Sequence, residues 1–379
     1  METLTYKGVR IDERFLERLN QSLSEINAFE YHKFLNNDIT RPCSIMDLIF
    51  ELDRNTTYVK QEEDILQQHL PLDEQFKLVE KFFSHFGLGE KVKCILEQQD
   101  PNYKVTISSD APESRVGHHG HETTLEFDVS SKPTIKSSST IAHELGHALS
   151  AHHTETIKLT QKLEKTKTLY GPNSPQFLHQ RSIYREFIDQ KNNFSLDAIG
   201  EIESHILEKL YVYDLLSKGI ISKKDLEDYL IFNRNSFKLN LELILQENDI
   251  LHQFGNPVTI EDIRTLYLKS EKSNRTDALA KRLFVMQERA FDKKYKNKHS
   301  KHMLRYVIGE IVSVVWIDKY FKSNITEQKE MLKTLKSYLT KTHQLDLDES
   351  IQYLLGKEID LQSLVSEYIN LQISKQNLA

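Results

Sequence analysis

The segment Ile141-Ala142-His143-Glu144-Leu145-Gly146-His147-Ala148-Leu149 carries the spacing H-E-x-x-H. On a helix, residues four apart differ by about 40° and share a face. His143 and His147 can therefore reach one ion. Zinc accepts neutral imidazole at about 2.0–2.1 Å and suits such a pair. Glu144 stands one residue past the first histidine, which puts it beside the metal rather than on it. A carboxylate there can take a proton from a bound water. The chemistry predicted is metal-assisted hydrolysis. Ile141, Ala142, Leu145, Ala148 and Leu149 surround the pair, so this helix is predicted to be buried on several sides. Gly146 leaves room for a neighbouring element.

Two residues compete for the third ligand position. His153 would extend the motif to H-E-x-x-H-x-x-S-x-x-H. Metzincins have Gly where Ser150 stands and a Met-turn downstream. No recognisable turn surrounds Met286. Glu201 lies in Ala198-Ile199-Gly200-Glu201-Ile202-Glu203-Ser204-His205-Ile206-Leu207-Glu208. There Ile199, Ile202, Ile206 and Leu210 recur at helical spacing as one apolar stripe. With Glu201 at 0°, His205 falls at about 40° and Glu208 at about −20°. These three polar residues share a different face. A second helix offering a carboxylate would complete a His₂Glu site with an open position for water. On spacing alone both candidates stand.

The elements that must position these residues are mostly helical. Gly is 12 and Pro 8 of 379 residues, against usual shares of roughly 7% and 5%. So few turn formers predict long helices and argue against an all-β fold. Residues 10–100 read as helices, with Phe15, Leu19, Leu23 and Ile26 at helical spacing, and again Phe76, Leu78, Val79, Phe82 and Phe83. Arg41-Pro42 and Leu70-Pro71 read as breaks. Lys104–Ile107 and Thr123–Val129 read as short strands. Between them Gly117-His118-His119-Gly120-His121 reads as a flexible loop. Ser137–Thr140 supply caps for a helix starting near Ile141. Gly171-Pro172-Asn173-Ser174-Pro175 and Gly255-Asn256-Pro257 read as later breaks. There is no fixed-period repeat.

Lys plus Arg number 50 and Asp plus Glu 56, a formal net charge of −6. Such a chain offers no strong positive field to gather phosphates, so nucleic-acid binding is not expected. The basic stretch Lys293–Lys301 reads as a solvated face. The two cysteines, Cys43 and Cys94, exclude a disulfide framework and suit a cytosolic setting. METLTYKGVRIDERF has no apolar core of a signal peptide, and no run of about 18 apolar residues predicts a membrane span. The longest apolar stretch, Ile308–Ile317, is interrupted by Glu310. The expected setting is cytoplasmic, or exported without a conventional signal.

Residues 141–149 resemble the H-E-x-G-H helix of the thimet oligopeptidase and oligopeptidase F family of zinc metallopeptidases. Residues 201–208 are similar to that family's second zinc helix, E-x-x-S-x-x-x-E, although Glu203 and His205 stand where Pro and Gln are usual. Tyr306-Val307-Ile308-Gly309, with Ile311, Val314, Val315 and Trp316, resembles its Y-x-x-G helix. A helix at 327–343 and a segment Ser350–Ile359 follow in the same order. The resemblance spans roughly residues 110–370 and rests on about thirty of them. It departs in the 54 residues from His147 to Glu201, about twice the family's usual span, and in an N-terminal lobe shorter than usual. His302 and Leu304 also stand where Tyr is frequent.

The resemblance implies a mainly α, two-lobed helical zincin with a short β-sheet beside the active-site helix. The division read from it is an N-terminal helical lobe at 1–105, a catalytic core at 106–215 with an insertion near 158–185, and a C-terminal lobe at 216–379. It implies Zn2+ held by His143, His147 and Glu201, with Glu144 as general base. Tyr306, His302 and His299 are candidates to stabilise the oxyanion. Glu208 and Asp197 are candidate acceptors for ligand N–H groups. It also implies that strand 123–129 pairs with extended peptide through main-chain hydrogen bonds. The expected partner is a peptide or protein substrate, with neither nucleic acid nor membrane. Two other readings stand beside this one. One is a delivered effector or toxin protease cutting one specific protein. The other is a metal-binding protein without protease activity.

Overall fold

A computed structural model describes residues 4–6, 9–11, 45–59, 69–108, 115–119, 122–128, 134–191, 194–254, 259, 261, 299–341, 345, 347–356 and 361–376. Among them helices predominate, as the scarcity of Gly and Pro predicts. The pattern at Phe15–Ile26, the break at Arg41-Pro42 and most of Lys293–Lys301 lie outside the described residues.

The chain forms two compact units, each built from two stretches. One comprises 1–58 and 236–307. It opens with a hairpin of β1 (Leu4–Tyr6) and β2 (Val9–Ile11), where Leu4 pairs Ile11 and Tyr6 pairs Val9. Helix α1 (Ile45–Asn55) buries Leu48, Ile49 and Leu52. Lys238 ties it down, with Nζ 2.6 Å from the Asp53 carboxylate. Tyr58 donates to Glu242 at 2.9 Å.

The other unit comprises 59–235 and 308–379 and contains the H-E-x-x-H segment. Helix α2 (Leu72–Ser84) starts directly after Pro71, whose extended ψ of 145° blocks helix on its N-terminal side. Its Val79, Phe82 and Phe83 are buried. Helix α3 (Gly89–Leu96) leads into β3 (Tyr103–Ser108), followed by β4 (Arg115–His119) and β5 (Glu122–Asp128). The sheet order is β3-β5-β4, with β3 parallel and β4 antiparallel to β5. Val105, Val116 and Leu125 are register partners across it, and Leu125 is fully buried at its centre.

Two expectations are corrected here. Gly117, His118 and His119 are not loop but strand, paired with Thr124, Thr123 and Glu122. The hairpin ladder supplies hydrogen bonds that outweigh the weak strand preference of Gly. Strand β5 also cannot take up a peptide, because β3 and β4 occupy both of its edges.

Helix α4 (Ile135–Leu149) carries the motif. It begins six residues before the expected Ile141. Ser138, Ser139 and Thr140 turn their hydroxyls back onto the carbonyls of Ile135 and Lys136 and so lie within the helix. Thr134 is the cap instead, accepting from the Ser137 amide, while Ser137 Oγ accepts from the Thr134 amide at 3.0 Å. Loss of such a cap costs about 1 kcal/mol.

The segment 158–185, expected as an insertion, lies across two helices, α5 (Ala151–Tyr170) and α6 (Pro175–Lys191), packed on each other. Gly171 at φ +84° turns the chain. Ser174 Oγ accepts from the Phe177 amide at 3.1 Å, and Pro175 sits at the first helical position, where its missing N–H costs nothing. Helix α7 (Phe194–Ser217) packs most extensively on α4. Its stripe Ile199, Ile202, Ile206 and Leu210 is buried, each side chain contributing about 1.5–3 kcal/mol. Phe82 of α2 meets Tyr211 of α7 edge-on at 5.4 Å.

Helices α8 (Lys223–Phe254), α9 (His299–Lys322), α10 (Ile325–Leu339), α11 (Leu347–Leu355) and α12 (Leu361–Gln376) complete the described chain. The expected helix at 327–343 starts two residues early, because Asn324 and Glu327 form a capping box. No helix among the described residues is long and apolar enough to cross a membrane.

Candidate metal centre

Helices α4 and α7 cross at small residues. A Cβ on Gly146 would stand 3.0 Å from the Ser204 Cα, so the two backbones touch between the motif's two histidines. On an adjacent face of α7, a Cβ on Gly309 of α9 would stand 2.9 Å from the Glu201 Cβ and 3.0 Å from the His205 Cδ2. Glycine at both positions lets α7 sit close enough to present its polar face to α4.

That face delivers Glu201 to the histidines. His143 Nε2 and His147 Nε2 are 3.2 Å apart. Glu201 Oε2 lies 3.5 Å from the first and 3.6 Å from the second. A tetrahedral ion with bonds of about 2.0–2.2 Å sets its ligand atoms roughly 3.3–3.6 Å apart. The three atoms therefore mark three corners of such a polyhedron, and His143, His147 and Glu201 can hold a metal ion. Glu201 is 1% exposed. A carboxylate so placed calls for a cation.

The tautomer agrees. His143 Nδ1 lies 3.0 Å from Glu208 Oε2, and Tyr229 donates to Glu208 Oε1 at 2.9 Å. An N–H at Nδ1 directed to Glu208 leaves a lone pair on Nε2, facing the Glu201 carboxylate. Two such acceptors repel, and a cation between them relieves this. In the metal-free protein a proton takes that place. Burial opposes a charge on His143, but Glu201 and Glu208 outweigh it and push its pKa up to about 10. Burial likewise pushes Glu208 up, and the hydrogen bond and charge of His143 overcome this, holding it below the ordinary carboxylate value. Burial, with the Glu208 charge beside it, pushes the Tyr229 phenol well above its usual range.

The three carboxyl groups of α7 thus divide. Glu201 converges with the histidines and Glu208 backs His143. Glu203, fully buried, has its pKa raised well above the ordinary value by burial above all, which outweighs the opposing Ser150 hydroxyl, with the Glu201 charge adding to the rise. Beyond Glu208 lies a cavity of about 80 Å³ lined by Lys136, Ser139, Thr140, Tyr229, Phe232 and Asn233. The Lys136 ammonium sits 3.7 Å from the Phe232 ring centre.

Glu144 is buried on α4. Helix α4 ends at Ser150, with φ −62° and ψ 148°. The chain leaves the helix there in an extended conformation that needs no glycine. His153 follows on α5, and its side chain lies outside the described residues, as do those of Asp197, His299 and His302. Tyr306 and His302 are on α9 in the part that belongs to the other unit. Tyr306 is half-buried, with the Arg305 guanidinium 5.1 Å from its ring centre.

Sequence reasoning missed Tyr229, which holds Glu208, and the group around Glu310. Glu310, on α9, accepts from Lys209 Nζ at 2.6 Å and lies 3.2 Å from His205 Nδ1 through the same oxygen. Burial pushes Glu310 up, but Lys209 and His205 outweigh it and bring its pKa down to about 2. The signal available was the single charge inside the apolar stretch Ile308–Ile317.

No protein-family model, no curated protein and no solved structure matches the chain.

Proposed function

We propose that the protein is a zinc-dependent metallopeptidase that hydrolyses peptide bonds in oligopeptides or extended segments. The observation that carries this reading is the convergence of His143, His147 and Glu201, with Glu144 following the first ligand on the same helix. Two imidazoles and one carboxylate are the donor set of a hydrolytic zinc site with an open position. When bound, zinc lowers the pKa of its water towards 7 and polarises the scissile carbonyl.

The chain's residues do the rest. Glu144 accepts the proton of the attacking water and returns it to the leaving amine. A site that only stabilised the fold would have no use for this carboxylate. Glu208, held by Tyr229, fixes the His143 ring and keeps its Nε2 lone pair forward. One well-placed donor to the oxyanion would contribute about 2.7–4 kcal/mol. With β5 enclosed, main-chain pairing with a peptide falls to the outer edge of β4, which packs on α4.

The test is zinc content by elemental analysis, paired with cleavage of a quenched peptide library, on wild type, Glu201→Ala and His153→Ala. Near-stoichiometric zinc, lost in Glu201→Ala and kept in His153→Ala, together with peptide cleavage, is the expected result. Zinc lost in His153→Ala instead would make the site metzincin-like. Zinc bound without cleavage of any peptide would turn the search to folded protein substrates and overturn the oligopeptidase reading.

A further inference from the structure

Glu310 is an expensive residue where it stands. Ile308, Ile311, Val312, Val315 and Trp316 of α9 are buried around it. A buried carboxylate in such a setting persists only when well paired. Its partner Lys209 is itself 2% exposed, and the pair is 2.6 Å apart. A buried ion pair alone contributes little net stability, because desolvation offsets the attraction. The arrangement beyond the pair gives it another use.

The oxygen that binds Lys209 also faces His205 Nδ1 at 3.2 Å. The other ring nitrogen, His205 Nε2, lies 3.9 Å from Glu201 Oε2, the oxygen that faces both motif histidines. The His205 ring also meets the His143 ring edge-on, with centroids 5.2 Å apart and planes at 76°. His205 is thus wedged between two ligands, and its far nitrogen is anchored to α9. Gly309, next to Glu310, closes against Glu201 and His205 together. The pattern of a histidine held at Nδ1 by a carboxylate occurs twice: at His143 through Glu208 and at His205 through Glu310. His205 Nε2 is not among the three ligand atoms that lie close to one another, so its role is support rather than ligation.

We propose that His205 and Glu310 are positioning residues of the metal site. Lys209 clamps Glu310, Glu310 fixes His205, and the His205 ring holds the Glu201 carboxylate and the His143 imidazole in ligating geometry. This rests on the reading of His143, His147 and Glu201 as metal ligands. The charge in the middle of an apolar helix is then a part of the metal site supplied by a third helix. Outer contacts of this kind change metal affinity by about 10–100-fold when removed.

The test measures zinc dissociation constants by competition with a coloured chelator, and the visible spectrum of the cobalt(II)-substituted protein. Thermal unfolding of the metal-free protein is followed in parallel. The variants are His205→Ala, Glu310→Gln and the double variant Glu310→Leu with Lys209→Met. The double variant replaces the buried pair by apolar groups and so leaves no charge stranded. The expected result is a rise of about 10–100-fold in the zinc dissociation constant for His205→Ala and for the double variant. Both should shift the cobalt bands, while the double variant melts near wild type. Glu310→Gln, which still accepts a hydrogen bond from His205, should lose less. Wild-type zinc affinity and cobalt spectrum in His205→Ala, or in the double variant, would overturn the proposal and leave the pair a structural one. If wild type takes up neither metal, the metal-site reading falls, and this inference with it. If wild type binds and His205→Ala binds equally, this inference alone falls.

Discussion

Glu208 Oε2 sits 3.0 Å from His143 Nδ1, and this contact selects the nitrogen that faces the site. With Nδ1–H committed to Glu208, Nε2 is left to ligate. Tyr229 holds the other carboxylate oxygen at 2.9 Å, so the carboxylate cannot swing away. Replacing Glu208 by Ala should weaken zinc binding by about 10–100-fold. Tyr229→Phe should weaken it less, because it removes the support of the support. Chelator competition on the two variants checks the ranking. Equal affinity in Glu208→Ala and wild type would show that His143 needs no outer acceptor.

Glu144→Gln separates chemistry from metal binding. Glutamine keeps the shape and removes the base. The variant should retain full zinc content and a wild-type melt, yet lose about 10²–10⁴-fold in kcat on a cleaved peptide, the range of one general base. Loss of zinc in Glu144→Gln would mean that the carboxylate serves the metal rather than the water.

The pairing within the His143, His147 and Glu201 group was partly legible in the sequence because helical geometry is local. Residues four apart share a face whatever surrounds them, so His143 with His147 could be read directly, and the shared face of Glu201, His205 and Glu208 could be drawn on paper. Choosing Glu201 over His153 needed a resemblance, since no local rule brings residue 201 to residue 143. The supports Tyr229 and Glu310 were illegible for the same reason. Each comes from another helix and meets the site only through tertiary packing. The start of α4 was misread because serine and threonine serve equally as caps and as residues bonded back within a helix. Strand β4 was missed because Gly and His carry little strand preference, and the ladder with β5 decides their conformation.

The contact between α4 and α7 predicts its own sensitivity. A methyl at Gly146 would stand 3.0 Å from a backbone atom, the Ser204 Cα, and 3.3 Å from Leu207 Cδ1. The leucine can rotate, but the backbone must shift. Gly146→Ala should therefore cost about 1–3 kcal/mol in urea unfolding, the usual range for overpacking. It should also weaken zinc binding, because the shift moves Glu201 away from the histidines. A variant as stable as wild type would show that the helices have slack at this crossing.

The pH dependence of the metal-free protein follows from the same carboxylates. Burial opposes a proton on His143, but Glu201 and Glu208 prevail and hold its pKa at about 10, above the value of about 6.5 in an unfolded chain. The folded state therefore binds this proton more tightly than the unfolded one. The resulting stabilisation is fully present below about pH 6.5 and is lost as pH rises through about 10. Urea unfolding of the zinc-free protein should show stability falling across that window, and His143→Ala should flatten the fall. Zinc must displace the same proton, so its apparent affinity should climb with pH over the same interval. The two trends run in opposite directions for one reason: proton and metal compete for the space between His143, His147 and Glu201. A zinc affinity that stayed level from about pH 6.5 to 9 would show that His143 carries no proton to displace.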